Sequence, residues 1–328
     1  MTTRKLDGRD ASLLLSVVIP CFNEEDGVEE LVRRVQSACT SVCAESQFEI
    51  ILVNDGSKDR TWSEMQRMLQ STPTLVCVDL SRNHGHQLAL TAGLSFARGE
   101  RIFIIDADLQ DPPELLGEMM RLVDDGADVV YGQRRKRPGE TRFKLVTAAL
   151  FYRALRKLTD TDIPADTGDF RLMTRRVMLE LQNMPERQRF IRGMVAWLGF
   201  RQVPLLYDRA PRFAGSTKYP LRKMILFAVD AFTGFSIAPL RFSLLLALLG
   251  VMIAALLAGY SLYSFAIKRV VPGWASITFS IAAFSSLQLL MLGIIGEYLG
   301  RMFIESKQRP RFLVREILGG SSATAEPG

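Results

Sequence analysis

Histidine and cysteine are scarce: two and four residues in a chain of 328. The cysteines are Cys21, Cys39, Cys43 and Cys77. Cys39 and Cys43 lie one helical turn apart with no second ligand pair, so no zinc spacing exists, and a reduced cytosolic setting accounts for all four. His84 and His86 read as polar loop residues rather than metal ligands. The opening MTTRKLDGRD has no apolar stretch, which argues against a secretory signal and places the soluble part in the cytoplasm. No aromatic-plus-basic segment of the RNA- or DNA-binding kind is present, which argues against nucleic acid as a partner. The glycine fingerprint of dinucleotide folds is also missing. The first strand runs instead into Asn23-Glu24-Glu25, whose acids would repel a pyrophosphate, so NAD and FAD are disfavoured.

Charge itself is missing from two places. Phe242 to Ile267 and Val270 to Gly296 contain no Asp, Glu, Lys or Arg. Each run exceeds the roughly 20 apolar residues that span a bilayer core as a helix. The turn between them, Lys268 to Trp274, is short, so they read as a transmembrane hairpin. Arg222, Lys223 and Arg241 precede it, and Arg301, Lys307, Arg309, Arg311 and Arg315 follow it, whereas the turn holds only Lys268 and Arg269. That asymmetry sets both ends in the cytoplasm, with Trp274 at the far interface. Tyr219 to Phe235 is apolar on one side and reads either as a helix lying on the membrane or as a core helix of the soluble part.

Before these runs the chain alternates. Apolar, β-branched stretches at Leu13–Ile19, Phe48–Val53, Leu75–Leu80, Arg101–Ile105 and Asp128–Tyr131 predict strands buried on both faces. Amphipathic stretches at Glu24–Ala38, Asp59–Leu69, His86–Ala97 and Pro113–Asp124 predict helices between them. The pattern is that of an α/β fold with a mostly parallel sheet. Thr141–Leu158 predicts a further helix, Asp160–Asp169 reads as an acidic turn region, and Gln202–Tyr207 as a late strand.

In open α/β sheets, ligands bind at the carboxyl ends of strands. Asp106-Ala107-Asp108 follows the fourth strand directly, and two carboxylates at that spacing suit one hard divalent cation, Mg2+ or Mn2+, held against a diphosphate. Asp55 follows the second strand, where it could accept hydrogen bonds from a base or ribose; Ser57 or Asp59 would open the next helix. The net charge of +6 suits an anionic partner, or simply a cationic face on a membrane protein.

Six segments, SVVIPCFNEE, LVNDGSKD, IIDADLQDPP, GQRRKRPGE, DTGDFRLM and RFAGSTKY, resemble family 2 glycosyltransferases of the GT-A fold over about residues 14 to 316. With the terminal hairpin, the chain is most similar to the polyprenyl-phosphate glycosyltransferases, bactoprenol glucosyltransferases among them, and it also resembles dolichol-phosphate mannose synthases. The resemblance implies inverting transfer of one sugar, glucose from UDP-glucose, onto undecaprenyl phosphate at the inner membrane, and an oligomer, a tetramer in related enzymes. It implies that Pro20, Phe22, Glu24 and Asp55 line the nucleoside pocket, with Asp106 and Asp108 on the diphosphate and metal and Gln110 beside them. It further implies that Asp169 sits near the sugar and the attacking oxygen. Arg134, Arg212 and Lys218 would grip the acceptor phosphate, with Arg142 or Lys144. Planar guanidinium groups suit that last task, because they bind phosphate through two parallel hydrogen bonds.

The chain departs from the family's processive synthases in lacking their Q-x-x-R-W motif; its nearest segment is Arg189-Phe190-Ile191-Arg192-Gly193. The rival readings are a processive polysaccharide synthase, a GDP-mannose-dependent mannosyltransferase and a non-catalytic membrane scaffold. The expected organisation is a polar tail at 1–12, a cytoplasmic catalytic domain at 13–215 and an interfacial region at 216–240. Two transmembrane helices follow within 241–300, at about 242–267 and 271–296, and a cytoplasmic tail at 301–328.

Overall fold

The computed structural model describes residues 13–135, 167–187, 189–208, 238–267 and 273–320. They divide into two compact units. The first holds an eight-stranded sheet in the order β7-β5-β6-β4-β1-β2-β3-β8. Its strands are β1 (Leu15–Cys21), β2 (Phe48–Asn54), β3 (Leu75–Leu80), β4 (Arg101–Ile104), β5 (Val129–Arg134), β6 (Thr167–Thr174), β7 (Gln202–Tyr207) and β8 (Val314–Gly319). β1, β2, β3 and β4 run parallel to one another, as β7 does to β5, while β6 and β8 run against their neighbours.

Helices cover both faces, which is why β1, β2 and β3 are buried along their whole length. α1 (Val28–Thr40) turns Val28, Leu31, Val32, Val35 and Cys39 inward at helical spacing onto Leu15, Val17 and Ile19 of β1. α2 (Thr61–Leu69) and α4 (Leu116–Asp124) join it on that face. α3 (His86–Phe96) packs on the opposite face, so close that a Cβ on Gly93 would come within 2.4 Å of Val18 Cγ1. Two shorter helices, α5 (Arg175–Asn183) and α6 (Ile191–Trp197), follow β6, and Gln182 of α5 donates to the Leu94 carbonyl of α3.

Pro20 lies inside β1, a central strand, where a missing N–H normally breaks the ladder. Val18 accepts from Ile105 on the β4 side, and alternation sends Pro20 to that same side, beyond the last β4 partner at Ile104. Its absent donor therefore has no strand to face. Glu49 is buried in β2, and its carboxylate is taken up by Ser16 Oγ, the Arg98 amide and the Arg98 guanidinium, at 2.6 to 3.0 Å.

Two expectations are corrected. Asp169 does not end an acidic turn region but lies inside β6, whose buried Asp169 and Arg171 disguise a strand as a loop. The 301–328 stretch is not simply a tail. Residues from Pro310 onward belong to the first unit: Val314–Gly319 pairs antiparallel with β3, Arg311 donates to the Gln182 and Met184 carbonyls, and Arg315 to Asp79 and the Ser81 carbonyl. Those two arginines, counted toward the positive flank of the hairpin, thus also hold the edge strand. The expected helix at Thr141–Leu158 and most of the 216–240 region lie outside the described residues.

The second unit contains α7 (Ala238–Ala266) and α8 (Trp274–Ser306), which meet where Gly250 lies against Phe284 and Leu287. α8 runs ten residues past the expected end at Gly296, through good helix formers and an Arg301–Glu297 pair at 2.9 Å. Among the described residues one helical stretch, Phe279–Ser306 with a mean hydropathy of 1.8, is long and apolar enough to cross a membrane; the described apolar part of α7, Leu246–Tyr260, is shorter.

Gly56 carries the turn after β2 at a φ of 62°, and a Cβ there would lie 2.5 Å from the Arg82 carbonyl carbon and the Asn83 nitrogen. Backbone strain of this kind costs about 1–3 kcal/mol, before the clash is added. Gly56→Ala should therefore lower the urea unfolding free energy by at least that amount. An unchanged transition midpoint would contradict the close approach of these two loops.

Candidate active site

The exits of β1, β2, β3, β4 and β5 and the start of β6 converge at one end of the sheet. Antiparallel register pairs Ile104 of β4 with Arg171 of β6, so that two residues further on Asp106 is brought level with Asp169. His86 and Gln87 open α3 beside them. One ligand atom each from His86, Asp106 and Asp169 lies within 4.8 Å of the others.

Asp169 is only 1% exposed, yet its carboxylate is fully engaged. Oδ2 accepts from Gln87 Nε2 at 2.8 Å and from His86 Nε2 at 3.0 Å. Oδ1 accepts from Arg192 Nε at 3.0 Å and stands 3.9 Å from Arg171 Nη2. Arg192 also donates to the Thr167 carbonyl, Arg171 to that of Gly168, and Gln87 Oε1 accepts the Ile191 amide. A buried charge persists only when paired and hydrogen-bonded, and this one is both.

The titration behaviour follows from that arrangement. Burial alone would raise Asp169, but Arg192, the His86 hydrogen bond and Arg171 outweigh it and hold the carboxyl far below the usual range. His86 is partly desolvated, which opposes its charged form. The hydrogen bond to Asp169 and the charge of Asp106 prevail and lift it to about 9, so the ring is a cation at neutral pH. Burial lifts Asp106 to about 6, with Asp169, Asp111 and Asp108 adding to the rise and His86 opposing it. Arg171, wholly enclosed, is pushed down to about 10 by burial against the pull of Asp169. Asp169 is therefore an anchored anion, not a carboxylate poised to take a proton.

The remaining predicted residues ring this centre. Phe22 stands 42% exposed just past β1, and Asn23 turns the chain at a φ of 56°. The Glu24 amide donates to Thr61 Oγ1. Asp55 is buried and accepts the amides of His84 at 2.7 Å and Gly85 at 3.0 Å, so it latches the β3 exit loop over the β2 exit. Asp59 accepts the Thr61 amide at the start of α2. Asp108 is half-buried and accepts the Gln110 amide across Leu109, itself at a φ of 53°. It stands outside the His86, Asp106 and Asp169 group. Asp106 Oδ1 is enclosed without a hydrogen-bond partner, 3.5 Å from His86 Nε2. A pKa raised by burial, with nearby carboxylates adding to it, together with that orphaned oxygen, fits a divalent cation with oxygen ligands.

Arg134, at the end of β5, is 19% exposed. Its Nε donates weakly to Tyr207 Oη at 3.5 Å, and its Nη2 stands 3.9 Å from Asp111 Oδ1. Tyr207 donates a short hydrogen bond to that same oxygen of the fully buried Asp111. Arg142, Lys144, Arg212 and Lys218 lie outside the described residues. The sequence reading missed His86, Gln87, Asp111, Arg171, Arg192 and Tyr207 as site residues. His86 stands in a loop-like stretch of the sequence and Arg192 in a segment without the Q-x-x-R-W motif, so neither carries a local signal.

Residues 16–181 match the family model described as Glycosyl transferase family 2. The chain is 44% identical over 311 residues to the "Uncharacterized glycosyltransferase sll0501" of Synechocystis sp., covering 93% of this chain and 96% of that protein. It is 35% identical over 304 residues to the "Prophage bactoprenol glucosyl transferase homolog" of Escherichia coli, covering 92% and 99%. Among solved structures, glucosyl-3-phosphoglycerate synthase from Mycobacterium tuberculosis in complex with Mn2+, UDP and phosphoglyceric acid aligns at 20% identity with a TM-score of 0.47, over 68% of this chain and 77% of that one.

Because the folded pKa of His86 is raised, its ion pair stabilises the fold fully below about pH 6.5, the unperturbed value, and that contribution disappears as pH rises through about 9. In chelator-treated protein the His86 ring resonances should titrate near pH 9. A midpoint near 6.5 would contradict the pairing with Asp169.

Proposed function

The chain belongs to glycosyl transferase family 2, and from that premise we propose that it transfers a single glucosyl unit from UDP-glucose to a polyprenyl phosphate, undecaprenyl phosphate, at the cytoplasmic face of a membrane. The observation that carries this reading is its likeness, along 92% of its length, to bactoprenol glucosyl transferases. An apolar helix long enough to cross a bilayer supports it, because the acceptor's lipid tail stays in the membrane and the site must work at the surface. α7 and α8 together would make the anchor a two-pass hairpin.

The chemistry is one displacement with inversion. An oxygen of the acceptor phosphate forms a bond to the anomeric carbon as the bond from that carbon to the diphosphate oxygen breaks, and UDP departs with the electron pair. The acceptor phosphate is already ionised at neutral pH, so no residue has to remove a proton. That agrees with Asp169, whose oxygens are committed to His86, Gln87 and Arg192. Asp169 orients its cationic neighbours around the reacting centre.

Asp106 and Asp108 would hold Mg2+ or Mn2+, which when bound neutralises the charge gathering on the departing diphosphate. Gln110 stands next to them, its amide fixing Asp108. Phe22, exposed at the β1 exit, would form the nucleoside side of the site with Pro20, Glu24 and Asp55. Arg134 would meet the acceptor phosphate, assisted by Arg142, Lys144, Arg212 and Lys218. A tetramer would place several such sites on one patch of membrane.

Purified full-length protein, given undecaprenyl phosphate, Mg2+ or Mn2+ and either UDP-glucose or GDP-mannose, should yield lipid carrying one hexose from UDP-glucose by mass spectrometry. Asp108→Asn should cut turnover by about a hundredfold or more, the scale of losing one group that stabilises transition-state charge. A ladder of hexoses, or product from GDP-mannose alone, would overturn the reading.

A further inference from the structure

Arg134 and Arg192 come from distant parts of the chain, the end of β5 and the start of α6, and both reach the first two residues of β6. Arg192 Nη1 donates to the Thr167 carbonyl at 3.0 Å, and a Cβ on the neighbouring Gly168 would lie 3.2 Å from Arg134 Nη2. Each guanidinium is backed by a carboxylate buried almost to nothing: Asp169 at 3.0 Å from Arg192 Nε, and Asp111 at 3.9 Å from Arg134 Nη2. Each keeps part of its surface open, 28% for Arg192 and 19% for Arg134. The charge of Arg192 opposes that of Arg134. Two like charges placed together at the mouth of a site, each braced from behind, gain from an anion that bridges them.

We infer that Arg192 is a substrate-phosphate ligand, the second arm of a two-arginine clamp with Arg134. The clamp takes a tetrahedral phosphate. Gly168 is part of the device, since a side chain there would press on the Arg134 guanidinium. Asp169 and Asp111 are positioning residues that set the planes of the two forks. The inference rests on the proposed role of Arg134, and it leaves two sources for the phosphate: the lipid monophosphate and the donor diphosphate.

The test uses direct binding, which is independent of turnover. Full-length wild type, Arg192→Lys and Arg134→Lys would be titrated calorimetrically with undecaprenyl phosphate in detergent micelles and with UDP. Lysine keeps the charge beside Asp169 and loses only the planar fork. Arg192→Lys should weaken one of the two ligands about tenfold or more with little change in melting temperature. Weaker undecaprenyl phosphate binding assigns the clamp to the acceptor, and weaker UDP binding assigns it to the donor. Unchanged affinity for both, with Arg134→Lys impaired, would overturn the assignment of Arg192 alone. Unchanged affinity for both in both variants would overturn the clamp together with the role of Arg134. Tight phosphate binding by a wild type that forms no glycolipid would sink the transfer reading and leave the clamp standing. Should Arg192→Lys fail to fold, the wild type decides: phosphate ligand should protect Arg192 from phenylglyoxal, scored on its peptide by mass spectrometry, and equal modification with and without ligand would refute the clamp.

Discussion

The buried carboxylate of Asp169 is the constraint around which the site is built. A charge taken out of water is tolerated only when its partners repay the lost hydration. Here they do so from three elements: Arg171 within β6, His86 and Gln87 at the start of α3, and Arg192 at the start of α6. None of these elements could shift without stranding a charge. Removing one member of such a buried pair costs about 3–5 kcal/mol, a large share of a domain's whole stability.

That anchoring turns a generic sheet into a specific site. Six strands run one way and would present their carboxyl ends to any ligand. Antiparallel β6 inserts between β4 and β5 and brings its amino-terminal end to the same rim, which sets Asp169 beside Asp106. The surrounding charges then sort themselves. Carboxylates Asp106 and Asp108 follow the β4 exit, while guanidinium groups Arg134 and Arg192, at the end of β5 and the start of α6, stand against Asp111 and Asp169. In the proposed reaction Asp106 and Asp108 would hold the metal-bound diphosphate and the two arginines a phosphate, the two ends of a displacement at a sugar carbon. Left-handed turns at Asn23 and Leu109 mark the loops that leave β1 and β4.

Much of this was legible from residue order. Continuous apolar runs gave away β1 to β4, because a strand covered on both faces needs no alternation, and the position of Asp106 after β4 pointed to the rim. β6 was hidden because its buried Asp169 and Arg171 look like loop residues until paired with each other. β8 was hidden because it lies after a membrane-type helix, and only long-range pairing with β3 makes a strand of VREILG. His86 and Arg192 carry no local signal at all. Their roles come from a carboxylate 83 and 23 residues away, respectively. Asp55 shows the converse: its position at a strand exit is plain in the sequence, but only the fold reveals that its oxygens latch a neighbouring loop.

The unfolding free energy of Asp169→Asn tests the account most directly. The substitution keeps the shape of the side chain and removes the charge that Arg171 and Arg192 need. A loss of about 3 kcal/mol or more in urea, partly recovered when Arg171→Met is added, is the result this structure predicts. Wild-type stability in Asp169→Asn would mean that the buried anion does not hold the site together.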